Sequence, residues 1–276
     1  MTAMQAIDGN TLDGVSATTL WTLHNRGTEA KRSDGVIRDP WAVTLLDTIS
    51  YDYLRFGKPN QSHALRAVAF DAAARAYLAD HPRAAVVALA EGLQTSFWRL
   101  DRTGAVDRVR WYSIDLEPVI DLRRRLLPRD ERITELAQSA LDTSWMDRAD
   151  STDGAFITAE GLLMYLEPED ALGLIRECAA RFPGGQMMFD SIPPWLSRRT
   201  LKGWQLSDRY IAPPMPFGQS ADDAVALAGL IPGIRIARDV RLPPGRGAWR
   251  ATSWPPLDRV AALRRARPSA TLLEFG

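Results

Sequence analysis

Val86-Val87-Ala88-Leu89-Ala90-Glu91-Gly92-Leu93-Gln94-Thr95-Ser96-Phe97-Trp98-Arg99-Leu100 reads as an apolar strand that breaks at a glycine and passes into a polar, arginine-bearing segment. A second strand, Trp111-Tyr112-Ser113-Ile114-Asp115, ends on an acid about twenty residues further on, the spacing at which nucleotide-binding α/β folds place a carboxylate for a ribose diol. Backbone approaches a ligand closely where no Cβ intervenes, so Gly92 is a predicted contact point. An acid at the tip of the next parallel strand projects into the same crevice. Strand, glycine and acid form one unit.

Strands and helices alternate through the rest of the centre. A helix is predicted over 117–127, with Pro118 in its first turn, followed by strands at 132–138 and 154–159. A helix at 168–181 is closed by Pro183-Gly184-Gly185, and strands follow at 186–191, 234–242 and 271–275. This order predicts an α/β fold with a doubly wound, mostly parallel seven-stranded sheet of the Rossmann-like kind. Residues 16–80 read as helices, with Leu65, Val68, Ala69, Ala72 and Ala76 forming an apolar stripe, and are expected to pack over the carboxyl edge of the sheet. Residues 192–220 are rich in proline and aromatic residues, which marks a lid inserted after the fifth strand. The whole chain, 1–276, is read as one domain, with 1–80 as a helical N-terminal cover.

Composition narrows the function classes. Hydrophobic residues make up 46% and charged residues 25%, which argues against disorder. The longest apolar run, Ala84 to Ala90, is strand length, and no hydrophobic signal region stands near the N-terminus, so a cytoplasmic protein with no membrane association is expected. Lys+Arg and Asp+Glu are both 34, which leaves no net charge to draw nucleic acid or an anionic membrane. The Arg123-Arg124-Arg125 run is read as a solvated helix face, and Glu91 as pointing to water. Cys178 is the only cysteine and neighbours Leu172, Ile175 and Ala179 at helical spacing, so it is assigned to packing. The three histidines have no metal-like spacing, and His24 and His81 are read as surface or loop residues.

The phosphate-cradling pattern G-x-G-x-x-G is absent, which counts against NAD and FAD. A nucleoside cofactor without phosphates fits better, and S-adenosyl-L-methionine is the candidate. Methyl transfer from a sulfonium is an in-line displacement, which needs an aligned nucleophile and the exclusion of water.

Several ordered blocks carry a family resemblance: Ala90 to Leu100, Tyr112 to Pro118, and Ala159-Glu160-Gly161-Leu162-Leu163-Met164-Tyr165-Leu166 followed by Pro168 and Glu169. With Arg38-Asp39-Pro40 preceded by Arg26 and Glu29, they resemble the leucine carboxyl methyltransferase family, and within it the bacterial branch of polyketide O-methyltransferases, from about Leu20 to Ile192. The resemblance implies a class I methyltransferase fold and O-methylation of a carboxylate or hydroxyl on a small, polyketide-like molecule. It implies that Arg66 offers its fork to the methionine carboxylate, that Glu160 faces the ammonium, and that Arg26 closes on the cofactor. Asp115 would hold the ribose and Gly92 would allow close backbone approach, Ala90 and Leu116 are further cofactor-binding candidates, and Ser139, Ala140 and Leu141 would flank the adenine. The family's G-A-G-x-D-T-R is altered here, with Ala90 for the first glycine, Gln94 for the acid and Ser96 for the arginine, while Arg99 survives. His63, one helical turn before Arg66, is the candidate general base, and Tyr165 is placed with it at the methyl-transfer site. A protein C-terminal carboxyl methyltransferase and a non-catalytic binding protein of the same fold stand as alternatives. The oligomeric state is open.

Overall fold

The computed structural model describes residues 7–253 and 260–276. Residues 1–6, part of the stretch read as free of a signal region and as the start of the cover, lie outside them. Seven strands form the main sheet: β1 (Ala85–Leu89), β2 (Arg110–Asp115), β3 (Ile133–Ala137), β4 (Ala155–Ala159), β5 (Gln186–Ser191), β6 (Ile234–Val240) and β7 (Ser269–Phe275). Their order is β6-β7-β5-β4-β1-β2-β3, with β7 antiparallel to both neighbours and the other contacts parallel. β1 pairs with β2 on one side and β4 on the other, so the winding reverses there and opens a crevice at the carboxyl ends.

Both faces of the sheet are covered at its centre, which is why β1 and β4 read as near-continuous apolar runs. Ala85, Val87 and Leu89 of β1 face one core with Ile157, Phe189 and the helix Pro168–Arg181. Val86 and Ala88 face the other with Phe156, Met188 and helix α3 (Ser62–Asp80). Cys178 is buried in the first core, as its helical spacing predicts, and burial raises its thiol pKa.

The N-terminal cover comprises α1 (Thr18–Ala30), α2 (Pro40–Thr48) and α3, with a short strand pair, Ile7–Asp8 against Ile49–Ser50, that the helical reading does not contain. Asp39 caps α2 by accepting from the Ala42 amide at 2.9 Å, and Pro40 occupies the first turn. The apolar stripe on α3 needs correction. Ala72 and Ala76 are exposed, and the lower part of the helix buries Phe70, Ala74, Tyr77 and Leu78 instead. In an alanine-rich helix the small side chains carry little phase information, and the aromatic positions set the inward face. His24 also departs from expectation: it is buried on α1 and stacked on Tyr53 at 5.5 Å.

Residues 192–220 contain a helix, Pro194–Leu201, and a hairpin, Gln205–Ser207 with Tyr210–Ile211. The hairpin is docked on the cover. Tyr210 meets Phe56 edge-on at 4.7 Å, Arg209 pairs with Asp52 at 2.7 Å, and the Ser207 hydroxyl donates to the Arg55 carbonyl.

Candidate active site

The loop after β1 turns in the left-handed region twice. Ala90 has φ +47°, at the position where the resembled family has glycine, and Gly92 has φ +59°. The space left by the missing Cβ of Gly92 is taken by α1, since a Cβ there would lie 2.5 Å from Thr19 Oγ1. The packing of α1 and the positive φ both favour glycine here, and Gly92 also lines the cavity at the carboxyl edge of the sheet.

Every turn of this loop is tied down. The Gly92 amide donates to Asp115 Oδ2 at 2.6 Å and the Leu93 amide to Thr19 Oγ1 at 2.7 Å. The Gly92 and Gln94 carbonyls accept from Arg123 Nη1 at 2.8 and 3.0 Å, and the Leu93 carbonyl accepts from Arg26 Nη2 at 2.6 Å. Arg123 also approaches Glu91 Oε2 at 2.9 Å, with both side chains buried. These placements overturn two expectations: Arg123 is not on a solvated face, and Glu91 does not reach water. The helix Glu117–Leu126 buries Val119, Leu122 and Leu126, and Arg123 shares that inward face. Burial raises the Glu91 pKa against the pull of Arg123.

Arg26 likewise differs from its predicted role. It is fully buried, pairs with Asp39 at 3.0 Å, and does not line the cavity, so it supports the loop from beneath. Asp39 also receives Arg99 Nη1 at 2.7 Å, while Arg99 Nε reaches Asp71 at 2.6 Å. Ser96, where the family's arginine would stand, donates to Asp71 at 2.9 Å and accepts from Arg99 Nη2 at 2.7 Å.

At the ends of β4 and β5, Arg66 from α3 meets two acids. Its Nε donates to Glu160 Oε1 at 2.9 Å and its Nη1 to Asp190 Oδ2 at 2.8 Å. The fork expected to face a ligand carboxylate is thus taken by the protein's own carboxylates, and Nη2 remains beside Gly161. Burial lowers the Arg66 pKa, but Asp190 and Glu160 together raise it above its usual value. Glu160 Oε1 accepts a second bond from Gln94 Nε2 at 2.6 Å. An acid at position 94 would sit against Glu160, so the glutamine replaces a repulsion with a donor. Asp190 also accepts from the Gly161 amide at 2.6 Å. Sequence reasoning missed Asp190, although its place at a strand's carboxyl tip is the signal that singled out Asp115.

These groups open on one cavity of about 920 Å³ at the carboxyl edge of the sheet. Of the predicted site residues, Ala90, Gly92, Asp115, Leu116, Ser139, Ala140, Leu141, Glu160, His63, Arg66 and Tyr165 all line it, and Arg26 alone does not. Asp115 is held by the Gly92 amide and, at 2.7 Å, by the Leu116 amide, so each oxygen keeps a further lone pair for a ligand hydroxyl. Burial raises its pKa. Leu116 and Leu141 are 49% and 40% exposed, apolar surface that a flat heterocycle would cover. Both bonds to Glu160 end on Oε1, and Oε2 has no hydrogen-bond partner among the described residues, which suits it to an ammonium. A diol acceptor, an apolar slot and an uncommitted carboxylate oxygen fit the nucleoside and amino-acid parts of S-adenosylmethionine. Among the described residues, no group of His, Cys, Asp or Glu side chains could hold a metal ion.

The rest of the cavity is lined by Trp21 from α1, Met164 and Tyr165 after β4, and Leu196, Trp204 and Met215 from the 192–220 insertion. His63 stands between the two regions, its ring edge-on to Trp21 at 5.2 Å. Burial, with Arg66 and Arg26 nearby, holds the imidazole pKa well below its ordinary value, so the ring is neutral at pH 7. Its Nδ1 lies 2.7 Å from Asn25 Nδ2, a partner no local pattern announces. Burial also pushes the Tyr165 phenol up to about 12.

Two solved structures share the fold: a candidate methyltransferase from Thermobifida fusca YX and the methyltransferase domain of bacterial CtHen1-CN. The first has a TM-score of 0.55 at 15% identity, covering 91% of this chain and 94% of that one. The second has a TM-score of 0.51 at 11% identity, covering 76% of this chain and 98% of that one. The chain is 32% identical over 228 residues to the tetracenomycin polyketide synthesis O-methyltransferase TcmP of Streptomyces glaucescens, covering 82% of each. The leucine carboxyl methyltransferase family model matches residues 19–179. With a crevice suited to the same cofactor, the chain belongs to the leucine carboxyl methyltransferase family and is a methyltransferase that uses S-adenosyl-L-methionine.

Proposed function

We propose that this enzyme methylates an oxygen, a carboxylate or a hydroxyl, on a small polyketide-like molecule. The observation that carries the reading is the single cavity of about 920 Å³, which runs from the strand-end residues to an apolar, aromatic region roofed by the N-terminal cover and the 192–220 insertion. Ligand sites of this kind are concave, mostly apolar and marked by a few placed polar groups. The likeness to TcmP, a polyketide synthesis O-methyltransferase, supports the substrate class.

Asp115 would hold the ribose hydroxyls, Leu116 with Ser139, Ala140 and Leu141 the adenine, and Glu160 the ammonium. The carboxylate of the methionine would meet Arg66 Nη2. Bound S-adenosylmethionine supplies an electrophilic methyl group on a sulfonium. Trp21, Tyr165 and Trp204 would place the acceptor behind that methyl and exclude water. The cover residues 7–80 and the 192–220 insertion are read as one cover on a single domain, which favours a small acceptor over a peptide C-terminus. The tied-down loop after β1 favours a working cofactor site over a non-catalytic one. Among the described residues no helix is long and apolar enough to cross a membrane, and a cytoplasmic location is part of the proposal.

Incubation with methyl-labelled cofactor and a panel of polycyclic aromatic acids and phenols tests the proposal. Label in an organic-extractable product supports it. Label transferred only to protein C-termini, or to nothing while cofactor still binds, overturns it.

A further inference from the structure

His63 is tied to a hydrogen-bond chain whose polarity can be read from its far end. The backbone amide of Asn60 can only donate, and it donates to Asn25 Oδ1 at 2.9 Å. That fixes the orientation of the buried Asn25 amide, so the group facing His63 Nδ1 at 2.7 Å is the NH2, also a donor. Nδ1 must therefore carry the lone pair. A neutral imidazole with its lone pair on Nδ1 has its proton on Nε2. Nε2 has no hydrogen-bond partner among the described residues, and the ring lines the cavity together with Arg66 and Trp21.

We infer that Asn25 locks His63 in the Nε2–H tautomer, and that His63 serves as a fixed hydrogen-bond donor to the acceptor's nucleophilic oxygen rather than as a general base. The assignment rests on the reading of the cavity as a methyl-transfer site, and it reverses the base role that the spacing to Arg66 suggests. A donor stabilises an oxygen that arrives as an anion and cannot take a proton from one that arrives neutral. The enzyme accordingly selects acceptors by ionisation state. The anionic oxygen forms its bond to the methyl carbon as the methyl–sulfur bond breaks, with that electron pair remaining on sulfur. The negative and positive charges cancel and no proton is released. Asn25 touches no ligand and is a positioning residue.

The tautomer can be read directly. Two-bond proton–nitrogen correlation spectra of the enzyme labelled at histidine nitrogen should show His63 with a protonated Nε2 and an unprotonated Nδ1. The isosteric Asn25→Asp substitution keeps the Asn60 contact but presents an acceptor to Nδ1, so the spectrum should switch to a protonated Nδ1. Turnover should follow the switch. For acceptors that are ionised at pH 7, kcat/KM should fall about 10- to 100-fold in Asn25→Asp and in His63→Ala, the range for loss of a hydrogen bond to a charged group. For acceptors that are neutral at pH 7, Asn25→Asp should gain activity, because Nε2 then carries a lone pair. A wild-type spectrum with the proton on Nδ1, or unchanged preference between the two acceptor classes in Asn25→Asp, overturns the inference. Failure of every oxygen acceptor with the predicted tautomer in place would overturn the proposed function instead.

Discussion

Replacing Arg123 by alanine should be far more damaging than replacing its neighbour Arg124. The Arg123 side chain is 1% exposed and serves the Gly92 carbonyl at 2.8 Å, the Gln94 carbonyl at 3.0 Å and Glu91 Oε2 at 2.9 Å. Its removal leaves a carboxylate that is 3% exposed without its cation and two loop carbonyls without donors. Breaking a buried pair from one side costs ~3–5 kcal/mol, and the orphaned carbonyls would add to that if water did not enter the space left behind. A loss of ~3–5 kcal/mol lowers the melting temperature by roughly 6–20 °C for a domain of this size. Arg124 is 42% exposed and reaches Glu135 at 3.2 Å and Asp121 at 3.6 Å, so Arg124→Ala should change stability by at most ~1 kcal/mol. The pH dependence carries a second signature. Burial already raises the Glu91 pKa, and loss of Arg123 raises it further. In the variant the folded state then holds a proton that the unfolded state releases above its ordinary carboxylate pKa. Stability is lost as pH rises from there through the folded pKa, so the deficit against wild type should be smaller at pH 5 than at pH 8. Urea melts followed by tryptophan fluorescence at the two pH values measure both effects. Equal, small losses in the two alanine variants, or a deficit independent of pH, would refute the assignment of Arg123 as the buried support of the loop.

The two left-handed loop positions should respond with opposite signs. Ala90→Gly relieves ~1–2 kcal/mol of backbone strain, partly offset by ~0.4–1 kcal/mol of unfolded-state entropy, so a small gain in urea midpoint is expected, whereas Gly92→Ala should lower the midpoint because its Cβ would lie 2.5 Å from Thr19 Oγ1. Asp115→Ala should weaken S-adenosylhomocysteine binding by ~1–3 kcal/mol in calorimetry, and unchanged affinity would remove Asp115 from the ribose site. Hydrogen exchange should show the 205–211 hairpin and α1 gaining protection when cofactor and acceptor are both present, because both line the cavity or dock on its roof. Protection confined to the central strands would count against a closing cover.

The central strands were legible because covering both sheet faces makes β1 and β4 short apolar runs bounded by turn residues, while the edge strands β3 and β6, which carry charged residues, were legible from the alternation of strands and helices. Asp115 and Glu160 were legible for a related reason: a strand's carboxyl tip in a doubly wound sheet has one place to point. Arg123 was not, since in a run of three like charges helical phase alone distinguishes the inward one. That phase was available in Val119, Leu122 and Leu126, which are buried around it. Asn25 and Gln94 were beyond reach for a different reason. Their partners lie 38 and 66 residues away, and no local periodicity encodes such a contact.

The altered loop shows how distant contacts change the meaning of a departure. Taken singly, Gln94 and Ser96 look like losses of an acid and an arginine from a cofactor loop. In place, Gln94 donates to the oxygen of Glu160 that Arg66 also holds, and Ser96 joins Arg99 and Asp71 where a second guanidinium would crowd the first. Arg99 alone then bridges Asp71 and Asp39, and Asp39 in turn holds Arg26, whose Nη2 secures the Leu93 carbonyl. The charges lost from the loop are balanced by neighbours on α1, α2 and α3, so the loop keeps its left-handed turns at Ala90 and Gly92. Glu160 lines the cavity, and its second oxygen has no hydrogen-bond partner among the described residues. That oxygen, rather than the letters of the loop motif, is the part of the arrangement a cofactor ammonium would meet.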